Sequence, residues 1–417
     1  MEHLFKGDGM NDQELLRPLI EPNTTKLLLV VMDGVGGLPV NGKSELEKAN
    51  TPNLSMLASG SACGLQVPVA YGITPGSGPG HLGIFGYNPL QYEIGRGVLE
   101  GLGLGIHLTE NDIAIRCNYA TAAHDGSKII IKDRRAGRIP TDQSKKITGM
   151  LQEQIKQIAD AQIILLPGME HRFALVLRFK NALEKGADLI EDTDPQKEGL
   201  EPVVPSPSGK QAKHVAEVAL QFVEKAAQIL KDQEKANYIL LRGFSSVPKI
   251  PKFNDVYGVK SLAIATYPMY LGVAKLLGMD TLKPEGGIAQ EIEALKNNYD
   301  KYDFFYLHVK KTDSNGEDGN FEGKCRVIEE FDKNLPDILS LNPDVLVITG
   351  DHSTPALIKG HSWHPVPVLL RSKYVFGRTS SAFTERECLK GELGIFHSTD
   401  IIPLMLANGM RLKKFGA

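Results

Sequence analysis

The sequence predicts a doubly wound, mostly parallel α/β sheet with an inserted second α/β domain. Two observations lead to this prediction. Short apolar runs alternate with amphipathic helices in two separate stretches of the chain, an alternation typical of parallel sheets covered by helices. The chain of 417 residues also exceeds the size at which one hydrophobic core keeps growing, so two domains are expected.

The first domain is expected to comprise residues 25–104 and 257–417. It begins with KLLLVVMD, a continuous apolar run followed by the turn residues GVGG, which predicts a buried strand. A helix in TPNLSMLAS comes next. Residues 72–105 then carry eleven glycines, a density that suggests tight turns or backbone close to a ligand. Beyond Asp255, strands in KSLAIATYP, DFFYLHV, DVLVITGDH and VPVLL occur among amphipathic helices.

The inserted domain is expected to span residues 105–256. It has strands in QIILLPG, RFALVLRF and NYILLRG, and helical periodicity in KKITGMLQEQIKQIA and KHVAEVALQFVEKAAQIL. Residues 183–210 are rich in Pro, Gly and charge, which predicts a solvated surface loop rather than a binding element. Residues 1–24 are polar and mixed in charge, and we expect them to form a flexible N-terminal extension.

The composition favours a small-molecule partner in the cytoplasm. A formal net charge of -3 gives no electrostatic footprint for nucleic acid. No 18-residue apolar run or signal-peptide core occurs, so neither a membrane span nor secretion is expected. The four cysteines lie far apart without CxxC spacing, which predicts reduced thiols rather than disulfides or a zinc site. The oligomeric state is left open.

Acidic residues and histidines follow several of the predicted strands. Asp33, Asp313 and Asp351 each lie at or just beyond the end of an apolar run, and in a parallel sheet such positions face one crevice. Converging carboxylates repel one another unless cations lie between them. A turn or helix-capping role would explain any one of these residues. Together with His352 and His361 they indicate a site for two metal ions.

Ser77 stands in the glycine-rich sequence TPGSGPGHLGIF. Glycines on both sides let the backbone approach a phosphate, and the residues that follow can start a helix whose N-terminal amides face the anion. Alone, the serine would best be explained as a helix cap. Beside two metal ions it is a candidate nucleophile, since a metal favours the alkoxide of a serine hydroxyl.

These motifs, taken in order, resemble one known family. VVMDGVGG, TPNLSMLA, TPGSGPGHLGIFGYNP, RRAGRI, EHRFALVLR, TYPMYLGVAKLLGM, KxTD, TGDHSTP and HxxxPVP look like the archaeal-type cofactor-independent phosphoglycerate mutases of the alkaline phosphatase superfamily. The resemblance covers the chain after its N-terminal extension. It implies interconversion of 3-phosphoglycerate and 2-phosphoglycerate in glycolysis and gluconeogenesis through a phosphoserine on Ser77, without 2,3-bisphosphoglycerate.

The resemblance also implies two ligand sets for divalent metal ions. They are Asp33, Ser77, Asp351 and His352 for one ion, and Asp313 and His361 for the other. Where the family has a histidine four residues after the KxTD aspartate, this chain has Glu317, which can replace imidazole as a ligand or lie at the surface without binding. Oxygen ligands with few imidazoles favour Mn²⁺ or Mg²⁺, with Zn²⁺ also possible.

Substrate recognition is expected in the inserted domain. Arginine pairs in a bidentate way with both carboxylate and phosphate, and the matching motifs supply the candidate residues Arg116, Asp133, Arg134, His171, Arg172 and Arg242. A basic residue commonly follows the second tyrosine of YPMY in related sequences, whereas this chain has Leu271. His81 and His308 are expected to be hydrogen-bonded side chains rather than ligands.

Two alternative functions remain open at this point. A metal-dependent phosphatase, or a phosphotransferase acting on another small acceptor such as homoserine, would use the same site, and Glu317 and Leu271 keep this alternative open. Retention of the recognition arginines favours the mutase. A silent metal-binding homologue is the second alternative, and the intact Ser77 argues against it.

Overall fold

A computed structural model of the protein describes residues 12–126 and 128–416. Its strands, in chain order, are β1 (Leu27–Met32), β2 (Ala62–Val67), β3 (Asp112–Asp125), β4 (Lys128–Asp133), β5 (Gln157–Ile158), β6 (Ala161–Pro167), β7 (Arg172–Arg178), β8 (Tyr238–Ser246), β9 (Ser261–Ala265), β10 (Asp280–Leu282), β11 (Phe304–Val309), β12 (Val345–Thr349), β13 (Val366–Arg371) and β14 (Gly394–His397).

The α-helices are α1 (Asp12–Leu16), α2 (Glu45–Lys48), α3 (Pro52–Ser59), α4 (Ser77–Ile84), α5 (Arg96–Gly103), α6 (Thr141–Gln154), α7 (Lys213–Leu230), α8 (Phe253–Tyr257), α9 (Pro268–Leu276), α10 (Ile288–Lys296), α11 (Lys311–Glu317), α12 (Phe321–Leu339), α13 (Glu385–Leu389) and α14 (Ile401–Asn408). Short 3₁₀ turns cover Arg17–Leu19, Ala136–Arg138, Lys210–Ala212, Tyr299–Lys301 and Ser398–Asp400.

The chain divides into two compact units. Unit 2 is Ile94–Lys249, and unit 1 is formed by the described residues on either side of it in the sequence. The predicted inserted domain, 105–256, overlaps unit 2 over most of its length and differs from it at both ends, and its bounds stay a prediction. Helix α5 belongs to unit 2 because it packs on β3 and β8, and the glycine at Gly97 is required there, since a Cβ atom would overlap the carbonyl of Ala114.

Unit 1 contains an eight-stranded sheet in the order β10-β9-β11-β1-β12-β13-β2-β14. Every neighbouring pair is parallel except the two that involve β13. Strands β1, β11 and β12 are buried along their whole length, which explains their continuous apolar sequences. The mostly parallel α/β fold is confirmed, and the carboxyl ends of β11, β1 and β12 lie side by side at one edge of the sheet.

Unit 2 contains a six-stranded sheet whose pairings are all antiparallel among the described residues. The long strand β3 pairs with β4, β7 and β8. Helices α6 and α7 supply residues such as Leu151 and Phe222 to the core of this unit. The insertion therefore combines helices with a sheet, as the sequence predicts, but the strands alternate in direction.

The residues expected to form a flexible extension, 1–24, are described from residue 12 onward. Those residues pack on the rest of unit 1. Nε2 of Gln13 donates to the carbonyl oxygen of Gly86 at 3.1 Å, and the amide of Glu21 donates to the carbonyl oxygen of Arg411 at 2.8 Å. The apolar Leu16 is buried. A polar composition concealed these contacts because their partners are distant in sequence. Residues 1–11 lie outside the described part of the chain.

The four cysteines are buried, and their thiols are free. Across residues 12–126 and 128–416, no helix has both the length and the apolar character needed to cross a membrane.

Candidate active site

Acidic residues occupy the carboxyl ends of the three central strands of unit 1. Asp33 directly follows β1, Asp351 lies two residues beyond β12, and Asp313 is in the first turn of α11, which follows β11. All three are buried. Since β11, β1 and β12 are adjacent and parallel, their topology brings these carboxylates together, and His352 comes with Asp351.

One candidate metal-binding group consists of Asp33, Asp351 and His352, whose ligand atoms lie within 4.8 Å of one another. Nε2 of His352 is 3.4 Å from Oδ1 of Asp33 and 3.1 Å from Oδ2 of Asp351. These three atoms are buried without a hydrogen-bond partner among the described residues. Buried polar atoms normally have partners, so this set fits a cation bound between them.

The electrostatics of this group favour positive charge. Burial alone would raise the pKa of Asp351, yet His352 and His81 hold it well below its ordinary value. Burial lowers the pKa of His352, but the nearby carboxylates of Asp351, Asp33 and Asp313 together outweigh burial and raise that pKa to about 9. The pocket therefore stabilises a positive charge at His352 in the position where a metal ion would bind.

A second candidate group consists of Asp313, His352 and His361, again with ligand atoms within 4.8 Å of one another. Nδ1 of His361 is 2.9 Å from the carbonyl oxygen of Pro75, and Nε2 is 3.6 Å from Oδ1 of Asp313. A hydrogen bond from Nδ1 to a carbonyl leaves Nε2 free to bind a metal ion. The rings of His352 and His361 stack with centroids 3.7 Å apart, which brings the two groups into contact.

Glu317 lies at the edge of this second group. Its Oε1 is 3.8 Å from Nε2 of His361, and its side chain is 55% exposed, against 3% for Asp313. It does not belong to the set whose ligand atoms lie within 4.8 Å of one another. Its carboxylate is thus near His361 but not near every atom of the group, and its part in ligation stays a prediction.

Ser77 is the first residue of α4 and is half-buried. Its carbonyl oxygen is 2.8 Å from Nδ1 of His81, whose Nε2 is 2.7 Å from the hydroxyl of Tyr306. Gly80, one turn further on, packs on the backbone of Asp351 with no room for a Cβ atom. This close approach places the N-terminal turn of α4 beside the first metal-binding group.

Unit 2 gathers several arginines on its antiparallel sheet. Arg116 on β3 pairs in register with Arg242 on β8, and Arg172 on β7 lies opposite Asn118 on β3. Burial lowers the pKa of Arg116, and the nearby guanidinium groups of Arg172 and Arg242 lower it further. Within the described ranges, Nε of Arg116 and of Arg242 form no hydrogen bond, although each lies near an acid, Glu100 at 3.4 Å and Asp194 at 3.5 Å. Such crowded cations fit an anionic ligand.

Two other predicted recognition residues have different surroundings. The carboxylate of Asp133 accepts hydrogen bonds from the amides of Arg135 and Gly137 at 2.7 and 2.6 Å, so it shapes the turn after β4, and its part in substrate binding stays a prediction. His171 is buried, and burial followed by the charge of Arg172 lowers its pKa to about 4. Its imidazole is therefore neutral at pH 7.

Comparison with known proteins identifies the family. The family model described as 2,3-bisphosphoglycerate-independent phosphoglycerate mutase matches residues 58–236. A protein of Aquifex aeolicus (strain VF5) named probable 2,3-bisphosphoglycerate-independent phosphoglycerate mutase is 58% identical over 406 residues, which are 97% of this chain and 100% of that protein. The chain belongs to the 2,3-bisphosphoglycerate-independent phosphoglycerate mutases. The predicted family is confirmed.

Solved structures agree with this assignment to the mutase family. The cofactor-independent phosphoglycerate mutase from Thermoplasma acidophilum is similar with a TM-score of 0.74 and 29% identity, covering 92% of this chain and 100% of that one. A protein from Pyrococcus horikoshii gives a TM-score of 0.78 and 30% identity over 95% of this chain and 100% of its own.

Three residues near the metal-binding groups of this mutase were not predicted as part of the site. The hydroxyl of Tyr270 donates to Oδ2 of Asp33, and Nζ of Lys310 donates to Oδ2 of both Asp33, at 2.9 Å, and Asp313. Lys310 is the lysine of the KxTD motif, so the sequence could have indicated that it lies near Asp313. His308 was expected to be hydrogen-bonded, but both ring nitrogens lack a partner among the described residues, with Nε2 3.3 Å from Asp33 Oδ2.

Proposed function

We propose that this chain interconverts 3-phosphoglycerate and 2-phosphoglycerate through a phosphoserine on Ser77 at a site with two divalent metal ions. The observation that carries the proposal is the set of unpartnered ligand atoms of Asp33, Asp351 and His352, packed beside the helix that starts at Ser77. Family membership supplies the substrate class.

The proposed ligands follow the two groups of the site. The first ion would be held by Asp33, Ser77, Asp351 and His352, and the second by Asp313, His361 and Glu317. The carboxylate-rich donor set suits Mn²⁺ or Mg²⁺, with Zn²⁺ also accommodated. When bound, such ions favour the serine alkoxide, neutralise phosphoryl oxygens and stabilise the departing oxygen.

The residues of the chain carry the transfer in two steps. Oγ of Ser77 bonds to phosphorus as the bond to the 3-oxygen of the substrate breaks, and the serine proton ends on that oxygen. The 2-oxygen of the retained glycerate then bonds to phosphorus as the bond from phosphorus to Oγ of Ser77 breaks, and the proton of the 2-hydroxyl ends on Oγ. Lys310, which lies between Asp33 and Asp313, adds positive charge where the phosphoryl oxygens gather.

Transfer within one substrate requires that glycerate stay bound while it turns. The arginines of unit 2 have the chemistry to bind its carboxylate, since guanidinium forks match carboxylates geometrically. Burial and then the charges of Arg172 and Arg242 lower the pKa of Arg116, and an anion bound among these arginines would offset their repulsion.

The test couples product formation to enolase with Mn²⁺ present and compares the native chain with Ser77→Ala. We expect native activity that a chelator abolishes, near-total loss in Ser77→Ala, and acid quenching that traps a phosphorylated peptide containing Ser77. Ser55→Ala, a change at a half-buried serine of α3, serves as the control and should keep native activity.

Two outcomes would contradict the proposal. Sustained activity in Ser77→Ala would exclude the phosphoserine route. Release of inorganic phosphate by the native chain without 2-phosphoglycerate would instead indicate the phosphatase alternative.

A further inference from the structure

The segment 183–210 was expected to be a solvated loop, yet it contributes a buried acid to the arginines of unit 2. Asp194 is only 3% exposed. Its carboxylate accepts two hydrogen bonds from Arg134, from Nε at 2.6 Å and from Nη2 at 2.8 Å. The second oxygen, Oδ2, is also 3.5 Å from Nε of Arg242. One carboxylate therefore contacts two of the predicted recognition arginines.

The backbone beneath Asp194 is fixed to strand β8 on both sides of Arg242. The amide of Thr193 donates to the carbonyl oxygen of Leu241 at 2.9 Å, and the amide of Leu241 donates to Oγ1 of Thr193 at 2.7 Å. Beyond Arg242, the amide of Gly243 donates to Oδ1 of Asp192 at 2.6 Å. Asp194 is thus held at a fixed position relative to the strand that carries Arg242.

The same segment is also fixed to strand β4, which leads into Arg134. The amide of Ile131 donates to the carbonyl oxygen of Leu200 at 2.9 Å, and the amide of Gly199 donates back to Ile131 at 2.8 Å. Arg134 directly follows β4 and Arg242 lies on β8, and Asp194 joins them through a segment that is hydrogen-bonded to both strands. A solvated loop would not provide such fixed geometry.

We propose that Asp194 is a positioning residue of the substrate site, which orients Arg134 and Arg242 so that their remaining N–H groups bind the carboxylate of phosphoglycerate. This inference rests on the proposed function. A guanidinium has five N–H donors. Asp194 and Oε1 of Gln196 take those on one side of Arg134, which leaves the other side for a ligand.

The charges around Asp194 support this role. A single carboxylate between Arg134 and Arg242 reduces their repulsion without neutralising both. Arg116 is 3.4 Å from a second acid, Glu100, and Arg172 adds a further cation. Four arginines thus share two ion-paired acids, Glu100 and Asp194, so the group can attract an anion while its guanidinium groups stay oriented. Rigid orientation of binding groups is what makes a bidentate contact effective.

The unit contains a matched control for this pair. Asp112 is buried as well, and its carboxylate accepts from Nε and Nη2 of Arg178, both at 2.8 Å. In both pairs the arginine side chain is partly exposed, by 31% for Arg178 and by 22% for Arg134. Asp112→Asn breaks an equivalent buried pair without touching the arginine cluster.

The experiment measures KM and kcat for 3-phosphoglycerate, and the inhibition constant of inorganic phosphate, in Asp194→Asn and Asp112→Asn. Inorganic phosphate has no carboxylate. We expect Asp194→Asn to raise KM about tenfold or more, beyond any fall in kcat, with the phosphate inhibition constant unchanged. Asp112→Asn should lower the resistance to urea unfolding about as much as Asp194→Asn does, and it should keep the native KM.

An unchanged KM in Asp194→Asn, or an equal rise in both variants, would overturn the inference. If Asp194→Asn does not fold, Arg134→Lys takes its place, since lysine keeps the charge but cannot form the two-point contact, and the same rise in KM is expected. Calorimetric binding of D-glycerate to the full chain separates this question from the proposed function. Native binding that Asp194→Asn abolishes supports the inference even if mutase activity is absent.

Discussion

The ammonium group of Lys324 is fully buried and donates a hydrogen bond of 2.8 Å to the carbonyl oxygen of Gly34. It also donates to the carbonyl oxygens of Gly36 at 3.0 Å and Thr354 at 2.9 Å. Those carbonyls belong to the loops that follow β1 and β12, which carry Asp33 and His352. Lys324 therefore connects the two loops of the first metal-binding group.

Replacing Lys324 by methionine should destabilise unit 1. The change removes three hydrogen bonds and leaves buried Glu45, 3.9 Å away, without its cation, a loss on the order of 3–5 kcal/mol. Urea unfolding measures it. Lys333→Met, on the exposed side of the same helix α12, should stay within about 0.5 kcal/mol of the native chain. Equal stability of the two variants would contradict the role of Lys324.

Removing only the hydroxyl of Tyr270 should weaken metal binding. Tyr270→Phe keeps the buried ring but loses the hydrogen bond to Asp33, and loss of such an outer partner typically lowers metal affinity about tenfold or more. Calorimetric titration with Mn²⁺ gives the affinity. Tyr87→Phe is the control, because that buried hydroxyl donates to the carbonyl oxygen of Pro251 at 2.9 Å and not to a predicted ligand. An unaltered Mn²⁺ affinity in Tyr270→Phe would remove Tyr270 from the site.

Glu317 can be tested by metal stoichiometry. If it completes the second ligand set, Glu317→Ala should lower bound Mn²⁺ from two ions towards one per chain, because Asp313 and His361 alone leave that ion weakly held. Elemental analysis after equilibrium dialysis measures the ratio. Glu322→Ala, an exposed acid in the first turn of α12, should leave it unaltered. Two ions retained in Glu317→Ala would show that the glutamate is only a surface residue.

The neutral imidazole of His171 should make stability depend on pH. Its pKa is lowered to about 4, chiefly by burial, whereas an unfolded histidine has a pKa of about 6.5. Between these values the unfolded chain binds more protons, so this contribution is fully present above about pH 6.5 and is lost as the pH falls towards 4. Urea unfolding at several pH values should give a shallower slope for His171→Gln. The exposed His107→Gln should keep the native slope, and parallel slopes for all three proteins would contradict the assignment.

The central strands and their acidic residues could be predicted because their signal is local. A continuous apolar run such as LLLVVM is visible in six residues, and the polar residue that follows it marks the carboxyl end of the strand. The topology rule then brings Asp33, Asp313 and Asp351 to one edge, where the structure has them.

Tyr270, Lys324 and Asp194 could not be found in this way, because their environment depends on distant partners. Tyr270 bonds Asp33 across 237 positions, and Lys324 bonds Gly36 across 288. Asp194 lies in a segment whose Pro, Gly and charge content is typical of a loop, and the hydrogen bonds of this segment to the distant strands β4 and β8 leave no mark on its composition. Composition describes the local chain and does not record which distant strand covers it.

The position of β1 between β11 and β12 has a consequence for synthesis on the ribosome. The first strand of unit 1 has no neighbouring strand until the last third of the chain emerges, whereas the strands of unit 2 all lie between Asp112 and Ser246. Nascent chains should therefore complete unit 2 first and keep the apolar β1 exposed to aggregation. In chains arrested at about residue 290, proteolysis should spare unit 2 and cut the segment around β1. Equal protection of both would contradict this order.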